Sequence, residues 1–351
     1  MTTASGHTSR ITIVDVARAA GVSKGAASHA LNGRAGVSEA TRARVKAAAV
    51  SLGWAPNGVA RALSGSRAGA IGWAILRTPK SPTIDPYFTE LFAGIELALA
   101  ETDVALVVKL VADRDEEEAL YRRWAASRRV DGVIVTDIDT DERRFDFLAE
   151  LGLPVAAFRS FLGSGPESDD VPSVWFAEQD AADRILDLAL SLGHHRIGWI
   201  SGDPGKRAVL LRERATREWA MHNGATVVTE WTDYSTAQGT AAAARLLELP
   251  EGERPTFLIF DNDLMALAGL STLHSFGLSV PGDVSVASYI DSSLCEVAVP
   301  PITALRHSTV EFGQRVTYRL LDQLDGGDSP DTEVPRLELV FRPSTGPPPR
   351  G

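Results

Sequence analysis

The stretch TIVDVARAAGVSKGAASHALNG, residues 12–33, has the pattern of two short helices joined by a tight turn. Thr12 and the acidic residue three positions later have the spacing of a capping box, which predicts the start of the first helix here. Gly21 suits the left-handed residue that ends this helix, and Ser23 can cap a second helix predicted over about residues 24–31. Two helices joined by a short turn that contains glycine form a helix-turn-helix.

A third helix and a short isolated helix are predicted to follow this motif. Ser38 can cap the third helix, and the three helices define a predicted head over residues 1–55. Residues 56–69 are a predicted linker, in which Asn57 can cap a short helix that ends near Leu63. Isolated helices shorter than about 12 residues are marginal in water. We therefore expect the linker helix to form only when a partner copy or DNA holds it.

The charge of the chain is divided unevenly between this head and the rest. Residues 1–70 carry nine Lys or Arg and two acidic residues, a net charge of +7. Because the whole chain has a net charge of −11, the remainder carries −18. A basic head on an acidic body is typical of a protein whose head alone meets phosphates.

From residue 70 onward, apolar stretches of strand length alternate with helical segments. Apolar strands separated by helices indicate parallel sheets that are covered on both faces. Two doubly wound halves fit this number of strands better than one sheet, with a ligand cleft at the carboxyl ends of the strands. The predicted strands are residues 70–76, 104–111, 130–137, 154–158, 196–201, 226–231, 256–261 and 284–289.

The two halves are predicted to form one ligand-binding core over residues 70–342. The first, subdomain 1, is expected over about residues 70–165 and 292–325. The second, subdomain 2, is expected over about residues 166–291 and 326–342. The Pro- and Gly-rich tail that follows, residues 343–351, is predicted to be disordered.

Several classes of protein are disfavoured by the same sequence. No apolar run reaches about 18 residues, and the N-terminus lacks the apolar core of a secretory signal, so no membrane association is expected. The single cysteine, Cys295, cannot form an internal disulfide, which fits a reducing cytoplasm. No phosphate loop, metal-ligand cluster or acid–base constellation is recognised, so we expect no enzyme, cofactor or metal.

Motifs along the chain resemble those of the lactose-repressor (LacI/GalR) family of bacterial transcription regulators. In the head and linker they are TIVDVARAAGVS (12–23), LNG (31–33), VSEATRARV (37–45) and GWAPNGVARAL (53–63). In the core they include VDGVIV (130–135), SLGHHRIGWISG (191–202) and FDNDLMALAGL (260–270).

The resemblance implies an α/β protein with a three-helix helix-turn-helix head and two doubly wound parallel-sheet subdomains of the periplasmic-binding-protein type. It also implies a homodimer that binds a near-palindromic double-stranded DNA operator, with one recognition helix in the major groove of each half-site. A small-molecule effector, most simply a sugar or oligosaccharide, is expected to bind between the subdomains. Its binding is expected to change the arrangement of the dimer.

The resemblance also places the DNA contacts. Base reading falls on Lys24 at the start of the second helix and on His29 one turn later, whereas Gly25 leaves a gap without a side chain. In the linker, Leu63 would wedge a central base step in the minor groove. Further contacts are expected from Thr12, Ser23, Ser28, Asn32, Asn57 and Ala60, although Ser23 could be purely a helix cap.

Effector contacts follow from the same comparison. Arg212 is assigned by its spacing to Gly224, with Arg214 as the alternative, and Tyr234 could instead be a surface tyrosine. Asn262 is the candidate ligand contact of its motif, where Asp263 could cap the following helix. The predicted effector residues are Tyr87, Phe88, Asp137, Arg212, Tyr234, Asn262 and Ile290.

Two departures from the family pattern bear on the effector. Ile290 stands where the family often has an aspartate that binds hydroxyl groups, and Ala177 stands where an acidic residue usually follows the fifth strand. A pocket with isoleucine at that position suggests a less polar or larger effector. Three tryptophans could line the cleft or pack in the core: Trp73, Trp175 and Trp231.

These features predict a DNA-binding repressor controlled by an effector. An activator or an effector-independent regulator of the same family is the first alternative. A solute-binding protein for transport would fit the core, but the basic head argues against it.

Overall fold

A computed structural model describes residues 11–31, 36–54, 67–77, 86–163, 171–328, 330–334 and 337–349. The chain divides into two compact units, Met1–Ala68 and Gly69–Gly351. The predicted linker helix near residues 57–63 and the predicted DNA contacts Asn32, Asn57, Ala60 and Leu63 lie outside the described residues. No helix in the described part of the chain is long and apolar enough to cross a membrane.

The first unit contains the three predicted helices, α1 (Ile13–Ala20), α2 (Lys24–Leu31) and α3 (Glu39–Ser51). Gly21 ends α1 with a φ of 66°, and the Ser23 hydroxyl accepts the Ala26 N–H at 3.1 Å. Capping therefore decides where these short helices begin and end. A small apolar core holds them together and contains Val16, Ala17, Ala20, Ala27, Ala30, Val45 and Ala49.

The second unit contains two six-stranded sheets surrounded by helices. The strands are β1 (Ala70–Leu76), β2 (Ala105–Val111), β3 (Gly132–Val135), β4 (Val155–Phe161), β5 (Ser173–Ala177), β6 (Arg196–Ser201), β7 (Thr226–Trp231), β8 (Phe257–Phe260), β9 (Ser285–Ser288), β10 (Thr303–Arg306), β11 (Thr332–Glu333) and β12 (Glu338–Val340). The helices are α4 (Pro86–Leu99), α5 (Arg114–Ser127), α6 (Arg144–Glu150), α7 (Glu178–Ser191), α8 (Arg207–Asn223), α9 (Thr236–Leu247), α10 (Asp263–Ser275), α11 (Ser293–Val297) and α12 (Thr309–Leu324).

The two sheets define two lobes. Lobe 1 is the sheet β11-β5-β4-β3-β1-β2 with α4, α5, α6 and α12, and all its strand pairs are parallel. Lobe 2 is the sheet β12-β10-β9-β8-β6-β7 with α8 to α11, and only its edge strand β12 is antiparallel. The chain passes between the lobes three times, after β5, after β10 and after β11. This architecture confirms the predicted fold class.

The predicted subdomain limits are wrong at β5, β10 and β11. Residues 326–342 were expected in subdomain 2, but β11 pairs with β5 in lobe 1. Residues 166–291 were expected in subdomain 2, but β5 pairs with β4, with Phe158 opposite Val174. Residues 292–325 were expected in subdomain 1, but β10 pairs with β9 in lobe 2. A strand of four or five residues carries too little periodicity to reveal which sheet it joins, because pairing is decided by tertiary contacts.

The predicted disorder of the tail is also wrong for residues 343–349, which pack on lobe 2. Ser344 is fully buried, and its hydroxyl donates to the Val286 carbonyl at 2.6 Å. The same hydroxyl accepts the Thr303 N–H at 2.8 Å. Pro and Gly prevent a helix or strand here, but they do not prevent the chain from satisfying the polar groups of a sheet.

Candidate functional site

A cavity of about 280 Å³ lies between the carboxyl ends of the strands of both lobes. Residues that line it come at or just after strand ends, including Arg77 after β1, Asp137 after β3, Asp203 after β6, Asn262 after β8 and His307 after β10. Ligands of open parallel sheets bind at this edge because the loops there are free to carry side chains. The volume is near the lower end of the range for small-molecule sites.

All seven predicted effector residues line this cavity: Tyr87, Phe88, Asp137, Arg212, Tyr234, Asn262 and Ile290. Their contact with an effector remains a prediction. The three candidate tryptophans are absent from the described lining; Trp73, for example, is fully buried and donates to the Thr136 hydroxyl at 3.2 Å.

Lobe 1 provides an aromatic wall, which the sequence reasoning missed apart from Tyr87 and Phe88. The rings of Phe158 and Phe312 stack with centroids 4.8 Å apart, and Phe176 stacks on Phe312 at 6.1 Å. Side chains from β4, β5 and α12 meet here, and because these elements are distant in sequence, no local pattern reveals the cluster. The wall offers a flat apolar surface to one side of a ligand.

Arg212 is held by two buried carboxylates. Its Nε donates to Glu178 at 3.1 Å, and its Nη1 donates to Asp261 at 2.6 Å. The carboxylates are 0% and 1% exposed, and Arg212 is 7% exposed. Burial lowers the pKa of Arg212, but the charges of Asp261 and Glu178 outweigh burial and hold it well above its usual value. The guanidinium is therefore a fixed, compensated charge.

The surroundings of this ion cluster satisfy its remaining oxygens. Asp261 also accepts from the Trp199 indole N–H at 2.7 Å, the Ser201 hydroxyl at 2.8 Å and the Gly202 N–H at 2.9 Å. Tyr289 lies under the guanidinium, with its ring centroid 3.8 Å from Cζ, and donates to Glu178 at 2.6 Å. Burial and the charge of Glu178 raise the pKa of Tyr289 well above its ordinary value.

The acidic residue predicted to be lost at Ala177 is present one position later, as Glu178. Ala177 ends β5, whereas Glu178 begins α7 with its side chain turned toward Arg212. The departure at Ile290 remains, since this side chain lines the cavity where the family often has an aspartate. The neighbouring Asp291 is bound to Arg342 at 2.6 Å, so its carboxylate cannot replace the missing aspartate at Ile290.

Two non-glycine residues of the cavity wall have left-handed backbones. Asp137 has a φ of 52°, and Tyr234 has a φ of 64°. The ring of Tyr234 lies against Gly202, where an added Cβ would be 1.9 Å from the tyrosine Cζ. Such conformations cost free energy, and they persist where the surrounding structure fixes them, often at binding sites.

Asn262, and not Asp263 as predicted, caps the helix that follows β8. The side chain of Asn262 is the cap of α10, because its Oδ1 accepts the Met265 N–H at 2.8 Å. Its Nδ2 donates to the Tyr234 carbonyl at 3.3 Å. Asp263 instead accepts a short hydrogen bond from the Ser292 hydroxyl, and burial raises its pKa.

His307 closes the cavity wall between the aromatic residues and Tyr289. Its Nε2 donates to the Tyr289 carbonyl at 2.9 Å, which leaves Nδ1 as the acceptor nitrogen of a neutral ring. Burial lowers the pKa of His307 to about 4. The imidazole is therefore uncharged at neutral pH.

In the first unit, the predicted reading residues Lys24, Gly25 and His29 are exposed on α2, and Ser28 is half-buried. A Cβ added at Gly25 would meet only the Ser23 hydroxyl, at 3.9 Å, so the gap there is open space. Thr12 donates through its hydroxyl to Asp15 at 2.7 Å. It therefore has a capping role, whatever it contacts on DNA.

Comparisons with known proteins agree with this architecture. Residues 12–57 match the model of the family described as bacterial regulatory proteins, lacI family, and residues 186–345 match the periplasmic binding protein-like domain. The transcriptional repressor PurR of Photobacterium profundum is 31% identical over 326 residues, which cover 89% of this chain and 92% of that protein. This chain belongs to the lacI family.

Solved structures of the lacI family support the assignment. A lac repressor dimer bound to operator and the anti-inducer ONPF has a TM-score of 0.78 and 26% identity, covering 96% of this chain and 99% of that one. A complex of the regulator CelR with cellobiose has a TM-score of 0.71 and 27% identity, covering 95% of this chain and 100% of that one. As a member of the lacI family, this chain is a DNA-binding transcriptional regulator.

Proposed function

We propose that this regulator is a homodimeric repressor whose affinity for a near-palindromic operator is controlled by a neutral sugar or oligosaccharide in the cavity. The observation that carries the effector class is the two-sided lining of the cavity. Lobe 1 offers the aromatic wall, and lobe 2 offers hydrogen-bonding groups such as Asp203, Asp233 and Asn262. Sugars present an apolar ring face and polar hydroxyl edges, which matches such a lining.

The charges in the cavity favour a neutral effector over an anionic one. Arg212 is balanced by two carboxylates, and Lys206 binds Asp139 at 2.6 Å. Arg77 lies 3.8 Å from a carboxylate oxygen of Asp137. An anionic effector that bound Arg212, Lys206 or Arg77 would compete with these acidic partners, at a substantial cost for the buried carboxylates of Arg212. The isoleucine at position 290 further suggests that one part of the effector is apolar.

A thermal-shift screen tests the effector class. Cellobiose, other mono- and disaccharides, and their phosphorylated forms should be compared at equal concentration. A ligand at 100 times its Kd stabilises the folded state by about 2.7 kcal/mol. That corresponds to an increase in Tm of roughly 4–5 °C for a unit of this size. Stabilisation by sugar phosphates alone would contradict the neutral class.

One variant and a matched control test whether the effector binds in the cavity. Phe158→Ala removes part of the aromatic wall and should abolish the ligand-induced shift, although it also lowers the Tm of the free protein. Phe92→Ala on α4 changes a 43% exposed phenylalanine that is not among the residues that line the cavity, and it should leave the ligand-induced shift intact. Equal loss of the shift in both variants would point away from the cavity.

DNA binding by the dimer requires a separate measurement. Fluorescence anisotropy with DNA from the upstream region of its own gene, at two salt concentrations, should give sequence-specific binding that weakens with salt. Leu63→Ala should weaken specific binding and leave the core folded, because we assign Leu63 to the minor-groove wedge. Effector addition should release the DNA; tighter binding would indicate a corepressor, and no response would favour an effector-independent regulator.

A further inference from the structure

A short ribbon connects the lobes beside the cavity. Residues 138–140, which follow β3 in lobe 1, run antiparallel to residues 205–207, which follow β6 in lobe 2. The N–H groups of Thr140 and Arg207 each donate to a carbonyl of the opposite lobe, at 3.0 and 2.8 Å. We call this ribbon the clasp. Because its two halves belong to different lobes, the lobes cannot separate without breaking it.

An ion pair reinforces the clasp at its centre. The Lys206 ammonium donates to Oδ1 of Asp139 at 2.6 Å, and the other oxygen of Asp139 accepts from Nε of Arg114 at 2.7 Å. These three side chains are between 17% and 29% exposed. Burial raises the pKa of Asp139, but the hydrogen bonds from Arg114 and Lys206 outweigh burial and lower it. Asp139 is therefore ionised and bridges a cation of each lobe.

Arg114 also holds the residue that presents a carboxylate to the cavity. Its Nη2 donates to the backbone carbonyl of Asp137 at 3.1 Å, and Nη2 of Arg144 donates to the same carbonyl at 3.1 Å. Two guanidinium groups thus fix the carbonyl of a residue whose left-handed backbone is otherwise unfavourable. The buried Glu117 forms ion pairs with both arginines, which keeps their positions fixed.

We propose that the clasp holds the two lobes together beside the cavity and that Arg114 is the positioning residue that ties it to Asp137. The inference rests on the proposed function in that Asp137 would be a contact of the effector. A ligand that moves or holds Asp137 then shifts the stability of the clasp through one guanidinium. The clasp thereby couples occupancy of the cavity to the contact between the lobes.

Hydrogen exchange of the full-length protein without ligand tests the clasp. In the wild type, the amides of Thr140 and Arg207 should be protected, although Thr140 lies in a loop and Arg207 is the first residue of α8, whose N–H has no partner within the helix. Lys206→Met should raise exchange in peptides covering 138–141 and 205–208 by about three- to tenfold, the range expected for loss of a partly buried charge-assisted bond. Exchange in β3 and β6 should not change, since a local opening leaves the sheets folded. Arg214→Met, which changes a 65% exposed arginine on α8, is the matched control.

Arg114→Gln should raise exchange in both clasp peptides, and Arg114→Lys, which keeps the charge but loses the branched contact, should restore only part of the protection. If Arg114→Gln destabilises the whole unit, Asp139→Asn provides the same test from the other side of the bond. Exchange of the wild-type clasp at the rate of an unstructured peptide would overturn the proposal. So would unchanged protection in Lys206→Met or Arg114→Gln. Because no ligand is present, these outcomes are independent of the thermal-shift screen.

Discussion

Replacement of Arg212 by methionine should destabilise the second unit strongly, because it leaves two buried carboxylates without their cation. Removal of one partner from a buried ion pair costs about 3–5 kcal/mol. Asp261 keeps three other donors, and Glu178 keeps the Tyr289 hydroxyl, so the lower end of this range is expected. A loss of about 3 kcal/mol lowers the Tm by roughly 5 °C for a unit of this size.

Calorimetry or urea unfolding measures this effect. The control is Arg214→Met, whose arginine forms an exposed pair with Glu218 and should change the free energy of unfolding by less than about 0.5 kcal/mol. Adding Glu178→Gln to Arg212→Met should recover part of the loss, since it removes one of the two buried charges. A Tm for Arg212→Met within 2 °C of the wild type would refute the idea that these carboxylates depend on Arg212.

Three further outcomes follow from the described contacts. The pKa of His307 lies near 4 in the folded chain and about 6.5 when unfolded, so the unfolded state binds the proton first as the pH falls. The free energy of unfolding should therefore fall by about 1.6 kcal/mol between pH 6.5 and 5, and urea titrations of His307→Gln at both pH values should show a fall smaller by about that amount. Gly25→Gln should alter base preference in an operator-selection experiment without lowering the Tm of the head, because the position is open and glycine disfavours helices by up to about 1 kcal/mol. Ser344→Val should cost about 1–3 kcal/mol in urea unfolding, because it leaves the buried Thr303 N–H without an acceptor; an unchanged midpoint would argue against an ordered tail.

Much of the fold could be predicted because local signals are strong where elements begin and end. Gly21, Ser23 and Ser38 mark the boundaries of the head helices, and long apolar runs such as residues 70–76 mark the central strands. The strands β5, β10, β11 and β12 could not be assigned in the same way. They contain between two and five residues each, and their pairing depends on contacts that are distant in sequence.

The cavity was predicted better at the strand ends than on the opposite wall. Motifs at strand ends identified Asp137 and Asn262 as lining residues, and the spacing to Gly224 identified Arg212, although their contact with an effector is untested. The sequence analysis missed Asp261 as a partner of Arg212, although Asp261 lies within the motif FDNDLMALAGL, directly after β8, and could have been found from that position. Aromatic residues of the lobe 1 wall carry no such signal, because each looks like an ordinary core residue in its own segment.

The three passages of the chain between the lobes limit how this protein can be recombined with its relatives. A contiguous segment that begins at β1 and stops after β5 would lack α12 and β11, and its sheet would lose an edge strand together with a covering helix. A chimera that takes one lobe from a relative must therefore exchange two separate stretches of sequence and match all three junctions. A chimera made with a single junction would therefore place half of the cavity on a sheet that lacks an edge strand and a covering helix.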